Sequence, residues 1–291
     1  MGNDVRMLLV VPSDPLKPRR PDEHFADEYE AAADLGIDVA VVDHDALVAG
    51  NASEGVVGVA ANPDVVYRGW MVSSQQYAAF ETSLIARGAA LRTPADMYRS
   101  AHELPGWIGA VNGLTAETLW TETDSLDELD AACQRLGSGS AVLRDYVKSA
   151  KHYWDEAVFI PDVTDLTTAR AVATRLRELR DDDFTGGFVL RRFEEYVSAE
   201  VRTWWIDGRC ALTTAHPDTP ESAPSEYTPP PALAETIAGL GLRFVTADLA
   251  RRTDGAWRVI EIGDGQVSDR PRTAHPAALL TALKNCDDAE H

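Results

Sequence analysis

Apolar residues fall into two kinds of run along this chain. In the first hundred residues the runs are short and continuous. Val5 to Val11 (VRMLLVV) is mostly apolar, as in a strand covered on both faces of a parallel sheet. Pro12 to Pro21 is proline-rich and basic and reads as a loop at that strand's C-terminal end, where ligands sit in open α/β sheets. Asp22 to Leu35 has helical spacing and stops at Gly36. Val39 to Val42 is a second buried strand, ending at Asp43. Val65 to Trp70 (VVYRGW) is a third, with Arg68 near its end, and Ala89 to Arg92 is a short fourth. Ser73 to Arg87 is a helix with Ser73 or Ser74 as N-cap and Gly88 as stop. This alternation predicts an αβ lobe with a small parallel sheet, up to about residue 95.

Pro94 to Gly113 is a transition rich in aromatic residues and turns. Ser125 to Leu136 is an amphipathic helix with a Ser125…Glu128 capping box. From Ala141 the pattern changes to longer alternating strands and hairpins. Ala141 to Val147 is a strand with Val142, Arg144, Tyr146 and, just past its end, Lys148 on one face. Asp165 to Arg180 is a helix and Gly187 to Val197 a strand. Ala199 to Ala215 is a hairpin turning at Asp207-Gly208, with Glu200, Arg202 and Trp204 on one face. Little order is expected in the proline-rich stretch from Ser222 to Pro231. Ala232 to Leu240 and Pro276 to Asn285 read as helices.

The most informative stretch is Phe244 to Val267, FVTADLARRTDGAWRVIEIGDGQV. Two alternating runs flank Asp254-Gly255, a pair suited to a two-residue primed turn. With that loop, Thr253 faces Ala256 and Asp248 faces Glu261, while Ala247, Leu249, Ile260 and Ile262 form the apolar face. Like charges so placed destabilise a sheet unless a cation joins them or one is protonated. Hard divalent ions such as Mg²⁺ take carboxylate oxygens and are often shared with phosphates. Gly263-Asp264-Gly265 follows and can bring in Asp264 as a third oxygen ligand. The expectation is a magnesium–nucleotide site, set against a hairpin with solvated acidic positions.

The chain has 291 residues, 45% of them hydrophobic, enough for two packed lobes. A formal charge of −20 argues against nucleic acid and anionic membranes as partners. No apolar run approaches the ~20 residues of a membrane span, and no leader pattern opens the chain. Cys133, Cys210 and Cys286 stand far apart without a CxxC, which suits a reducing compartment, and a cytoplasmic location is expected. The histidines form no HxxxH or HExxH, against a zinc hydrolase.

Arg144, Lys148 and Lys151 precede the acidic elements and read either as exposed basic residues or as a grip on nucleotide phosphates. There is no GxxxxGK[ST] and no HRD…DFG set. FVLRRFEEYV is an apolar strand that turns polar. It is either a charged edge strand or a backbone edge for adenine, with Glu194 or Glu195 accepting ribose hydroxyls.

The order is strand with cation, helix, strand ending in Glu, an ExR strand, Asp, then Glu beside a glycine turn. It resembles the ATP-grasp superfamily. Arg68-Gly69-Trp70, PADMY…HELPGW, RDYVKSAKHYWDEAVFIPD and VIEIGDGQVS resemble its clade named for an arginine–lysine exchange. The likeness spans about Val65 to Asp269. It implies an α+β fold of two subdomains clasping ATP (about 111–291), preceded by a substrate-side αβ lobe (about 1–110). By position it implies Arg144, Lys148 and Lys151 at the phosphates, Arg191, Glu194, Glu195 and Val197 along the nucleotide, and Glu200 beside it. Asp248, Glu261 and Asp264 would hold Mg²⁺. Arginine replaces the superfamily's usual lysine at 144, and Gly263 its usual asparagine. The implied activity is ATP-dependent joining of a carboxylate to an amine, on a small molecule or peptide, through an acylphosphate. Positioning and charge would do the work, with Lys148 and Arg202 in catalysis and Arg68 and Arg270 gripping the substrate carboxylate. A phosphotransferase and a non-catalytic nucleotide-binding protein are the rival readings, and a homodimer is compatible with the chain.

Overall fold

The computed structural model describes residues 6–222 and 227–286. Val5 of the first expected strand and residues 223–226 of the proline-rich stretch lie outside them. The chain forms two compact units, both discontinuous in sequence. The larger takes residues through His102, Ala199–Leu249 and Glu261 onward, and the smaller takes Glu103–Ser198 and Ala250–Ile260.

The larger unit begins with β1 (Leu8–Asp14). The basic stretch after it is a return strand, β2 (Lys17–Pro21), antiparallel to the end of β1 with Ser13 facing Pro21. The sequence pattern predicts a loop there, but prolines are tolerated in such an exposed edge strand. Next come α1 (Ala26–Asp34), stopped by Gly36 at φ +69°, and β3 (Asp38–Val42), parallel to β1. Two short helices, α2 (His44–Val48) and α3 (Ala52–Gly55), follow. β4 (Val65–Tyr67) pairs in parallel on the other side of β1. The small parallel sheet expected from the alternation is therefore present. Leu8 and Val10 face one core while Leu9 and Val11 face another, which is why β1 is apolar throughout. α4 (Ser74–Ile85) starts at a reciprocal Ser73–Gln76 capping box. In place of the expected fourth strand, Leu91 makes only a bridge to Val65, and α5 (Ala95–His102) occupies part of the expected transition.

The smaller unit is an antiparallel sheet with two helices packed on it. Its strands are β5 (Thr118–Trp120), β6 (Ala141–Arg144), β7 (Phe159–Ile160) and β8 (Val189–Arg192), in the order β5-β8-β6-β7. Its helices are α6 (Leu126–Leu136) and α7 (Leu166–Arg180), whose Leu129, Cys133, Val172 and Leu176 pack with Leu143 and Leu190. Only half of the expected capping box forms at α6. Ser125 caps the Glu128 N–H, but the Glu128 carboxylate takes the N–H groups of Glu122 and Thr123.

The chain then returns to the larger unit through β9 (Val201–Ile206) and β10 (Arg209–Ala215). Their turn is the expected one: Asp207 and Gly208 both have positive φ, +45° and +74°, as a primed two-residue loop requires. After α8 (Leu233–Gly239) come β11 (Phe244–Arg251) and β12 (Trp257–Asp264), giving a second sheet in the order β10-β9-β11-β12. The final helix, α9 (Pro276–Asn285), spans the residues expected for it.

Candidate active site

The β11–β12 turn differs from expectation. Arg252 N donates to Ala256 O and Gly255 N to Arg252 O, so the loop has three residues, Thr253, Asp254 and Gly255. Only Gly255 has positive φ, at +89°. This is a type I turn closed by a glycine bulge, not a primed pair. At the other end of the hairpin Gly265 N donates to Phe244 O, and a Cβ on Gly263 would lie 3.3 Å from Thr246 Oγ1. Those contacts put Phe244 opposite Gly265 and Thr246 opposite Gly263, a register that would set Asp248 opposite Glu261 if it ran on unbroken. At the tip Arg252 lies opposite Ala256, one residue out of step with that register, so the hairpin carries an irregularity between its two ends.

On the other side of β11, Asp248 faces Arg202 of β9. The pair is buried and bidentate: Arg202 Nε and Nη2 each lie 2.8 Å from an Asp248 carboxylate oxygen. Arg202 Nη1 donates to the Asp269 carbonyl at 2.8 Å, and Nη2 lies 3.2 Å from His216 Nε2. Burial would lower the Arg202 pKa, but the charges of Asp248, Glu261 and Glu200 outweigh it and raise the pKa above the usual guanidinium value. Glu200 Oε2 is 3.9 Å from His216 Nε2. His216 has Asp218 on its other side, with the Asp218 N–H 3.2 Å and its carboxylate 3.9 Å from Nδ1.

Asp264, expected as a third ligand, is not with these carboxylates. Strand alternation turns it to the face opposite Glu261, and it is fully buried. Its Oδ1 accepts from Gln266 N, while its Oδ2 has no hydrogen-bond partner. Burial pushes its pKa up to about 7 against the pull of the Gln266 contacts.

Arg68 and Arg270, expected to grip a substrate carboxylate, instead hold a carboxylate of the chain itself. Arg68 is fully buried, with Nε and Nη2 each 2.8 Å from an oxygen of Glu28, and it donates also to the carbonyls of Gly265 and Ser268. Its guanidinium lies 5.4 Å from the Trp204 ring centre. Arg270 pairs with Asp27 and Glu28. Burial would raise the Glu28 pKa, but Arg68 and Arg270 hold it below the ordinary carboxylate value.

In the smaller unit, β6 ends at Arg144, which donates to the backbone carbonyls of Asp145 and Val147. The buried Asp145 accepts from the N–H groups of Val147 and Lys148 (2.7 and 2.6 Å) and pairs with Arg180 at 2.8 Å. This side-chain turn fixes the backbone from which the exposed Lys148 projects. Tyr146, expected beside Lys148, is buried. Lys151 is exposed and starts a 3₁₀ turn. Arg191 is buried and donates to Thr115 Oγ1 and the carbonyls of Val259 and Ile260. Glu194 pairs with Arg252 and Arg258 and accepts from Tyr196. Glu195 and Val197 are exposed, and their backbone runs along the hairpin tip through Thr253 N to Glu195 O and Val197 N to Arg251 O.

Sequence reasoning missed Glu28, Asp145 and His216. The Arg-Asp pair at the end of β6 was a readable turn signal for Asp145, while nothing local marks Glu28 or His216.

The family model for the ATP-grasp domain of the arginine–lysine exchange clade, family 3, matches residues 135–283, just over half of the chain. The chain belongs to this family. Solved structures agree on the ATP-grasp fold. D-cycloserine synthetase DcsG superposes with a TM-score of 0.64 at 20% identity, covering 96% of this chain and 99% of that one. A RimK domain ATP-grasp protein from Sphaerobacter thermophilus gives 0.61 at 17%, covering 95% and 98%. The ATP-grasp ligase PsnB, complexed with minimal precursor, Mg and ADP, gives 0.55 at 15%, covering 95% and 96%. A comparison with curated proteins returns no match. No helix of this ATP-grasp chain is long and apolar enough to cross a membrane, among the described residues.

Proposed function

We propose that this chain is an ATP- and magnesium-dependent ligase that joins a carboxylate, on a small molecule or peptide, to an amine through an acylphosphate. The observation that carries the reading is the buried Asp248–Arg202 pair of β11 and β9, with the charge of Glu261 acting on the same arginine, in a chain of this family. The Asp248 and Glu261 carboxylates would hold Mg²⁺. Asp248 spends one lone pair of each oxygen on Arg202, and a carboxylate has about four such sites, so a metal fits beside the arginine. When bound, the ion neutralises phosphate charge.

The residues themselves supply position and charge. Lys148, on its pinned turn, is the phosphate cation, with Arg144 and Lys151 as lesser contributors. Arg202 stabilises the transferred phosphoryl, and Glu195 and the backbone near Val197 meet the nucleoside. Arg191, Glu194, Arg68 and Arg270 support these groups through the contacts described above. No side-chain nucleophile is required, because the substrate carboxylate attacks the γ-phosphorus itself. Neighbours named as ligases and synthetases support bond formation as the outcome.

The test is ADP release from panels of carboxylates and amines, with product mass. Sustained release is expected only when both substrates are present, and it should vanish in Glu261→Gln at an unchanged urea midpoint. Release from a carboxylate alone with a stable phosphorylated product would make the protein a phosphotransferase. Undiminished turnover in Glu261→Gln would remove the carboxylate pair from the mechanism.

A further inference from the structure

We infer that His24 is the general base that takes the proton from the acceptor amine, with Asp269 and Trp70 positioning its ring. The inference rests on the ligase reading above and adds a group that reading leaves unassigned. Most amines are ammonium ions at neutral pH and cannot attack an acylphosphate until a proton leaves. Lys148 and Arg202, the cations of that site, are charged donors with no lone pair to accept it. Imidazole is the side chain whose ordinary pKa suits the task near neutrality.

His24 lies in the larger unit, at the C-terminal end of its parallel strands, where ligands sit in such sheets. Asp22 N donates to Pro12 O, and His24 N donates to Asp22 Oδ1 at 2.8 Å, so the backbone is fixed to the end of β1. Trp70 follows β4, the parallel neighbour of β1. Its ring centre is 4.6 Å from the imidazole centre, and Phe25 packs edge-on at 4.8 Å. Trp70 is itself held, its Nε1 donating to Asp22 Oδ2 at 3.3 Å. His24 Nε2 stands 2.9 Å from Asp269 Oδ1. A carboxylate accepts, so Nε2 carries the ring proton and Nδ1 keeps the lone pair. Nδ1 has no hydrogen bond among the described residues, and the ring is part-exposed. A carboxylate orienting an imidazole whose other nitrogen is open is the arrangement of a working base.

Asp269 also ties the ring to the phosphoryl side. Its carbonyl accepts from Arg202 Nη1 at 2.8 Å, so one residue holds the imidazole by its side chain and the guanidinium by its main chain. The charged groups facing the ring are Asp22 and Asp269, both attractive to an ammonium ion, with Arg202 beyond the Asp269 carbonyl. In the step itself the ammonium gives one proton to His24 Nδ1, which frees the nitrogen lone pair. That pair forms the C–N bond, the acyl C–O bond breaks, and phosphate leaves with its electrons. The second proton lost by the nitrogen goes to the departing phosphate.

The experiment compares each productive amine of the panel with hydroxylamine, an acceptor already unprotonated at neutral pH, whose hydroxamate product is read with ferric iron. In His24→Gln the kcat with the amine should fall about 100-fold or more, while hydroxamate formation and the KM for ATP stay at the wild-type level. Hydroxamate formation also shows that the variant is folded. Its rate with the amine should climb about tenfold per pH unit above pH 7, following the free amine. Asp269→Asn, which keeps the carbonyl for Arg202, should lose rate with the amine and not with hydroxylamine. Equal losses with both acceptors would make His24 structural, and an unchanged rate with the amine would remove it from the reaction; either result overturns the inference. Absence of hydroxamate from the wild type with every carboxylate of the panel would instead overturn the ligase reading, and this inference with it.

Discussion

Replacing Asp264 by Asn should flatten the pH dependence of stability between pH 5 and 8. Asp264 is fully buried, one of its oxygens has no partner, and its pKa is raised from 3.8 to about 7. A carboxyl raised on folding favours the native state at low pH and loses that contribution as pH rises through the folded value. Between the two values the native state binds more protons than the unfolded chain, so stability falls with rising pH, by about 1.4 kcal/mol per pH unit at the steepest. From pH 5 to pH 8 this single group removes about 2.5 kcal/mol, and the full separation of the two values is worth about 4 kcal/mol. Glu28 and Glu194 act in the opposite sense, but their pKa values are lowered, so their effects belong to the acid side of this window. Urea unfolding of wild type and Asp264→Asn across the window measures the difference. The variant should gain on the wild type by about 2.5 kcal/mol between pH 5 and 8. A gap that stays constant over that range would mean Asp264 is already ionised or never ionises, and the burial argument would fail.

Other perturbations have definite signs. Glu28→Gln leaves Arg68 and Arg270 buried without their shared carboxylate and should cost about 3–5 kcal/mol in urea unfolding. Gly186→Ala places a side chain at φ +69° and into the Tyr146 ring, so thermal unfolding should show a loss of about 1–3 kcal/mol. Lys148→Met removes an exposed charge without touching the core. Far-UV circular dichroism should be unchanged, while the KM for ATP should rise roughly tenfold or more, as loss of a charged contact of about 1.5–3 kcal/mol implies.

Much of the architecture was legible because its signals are local. Ser73 with Gln76, Asp207-Gly208 and Pro276 each fix a boundary through the chemistry of a few neighbouring residues. α2 and α3 are too short to show a period, and in α5 the buried Tyr98, Ala101 and His102 sit in a stretch whose aromatic and turn residues read as irregular. Alternation set Asp248 opposite Glu261 by way of a two-residue loop, and the loop has three residues. The partners of the arginines were not readable. Arg68 meets Glu28 from forty positions upstream and carbonyls from nearly two hundred downstream, and strand pattern says nothing about either.

The Arg68 grip on Gly265 and Ser268, with Arg92 donating to the Leu283 carbonyl, binds the end of the chain to its beginning. A fragment trimmed to the segment that the family model recognises would keep Glu261 and lose the anchors of the loop just beyond it. Shuffling this lobe between relatives therefore requires moving both termini together, because the front half of the chain is a scaffold for the back.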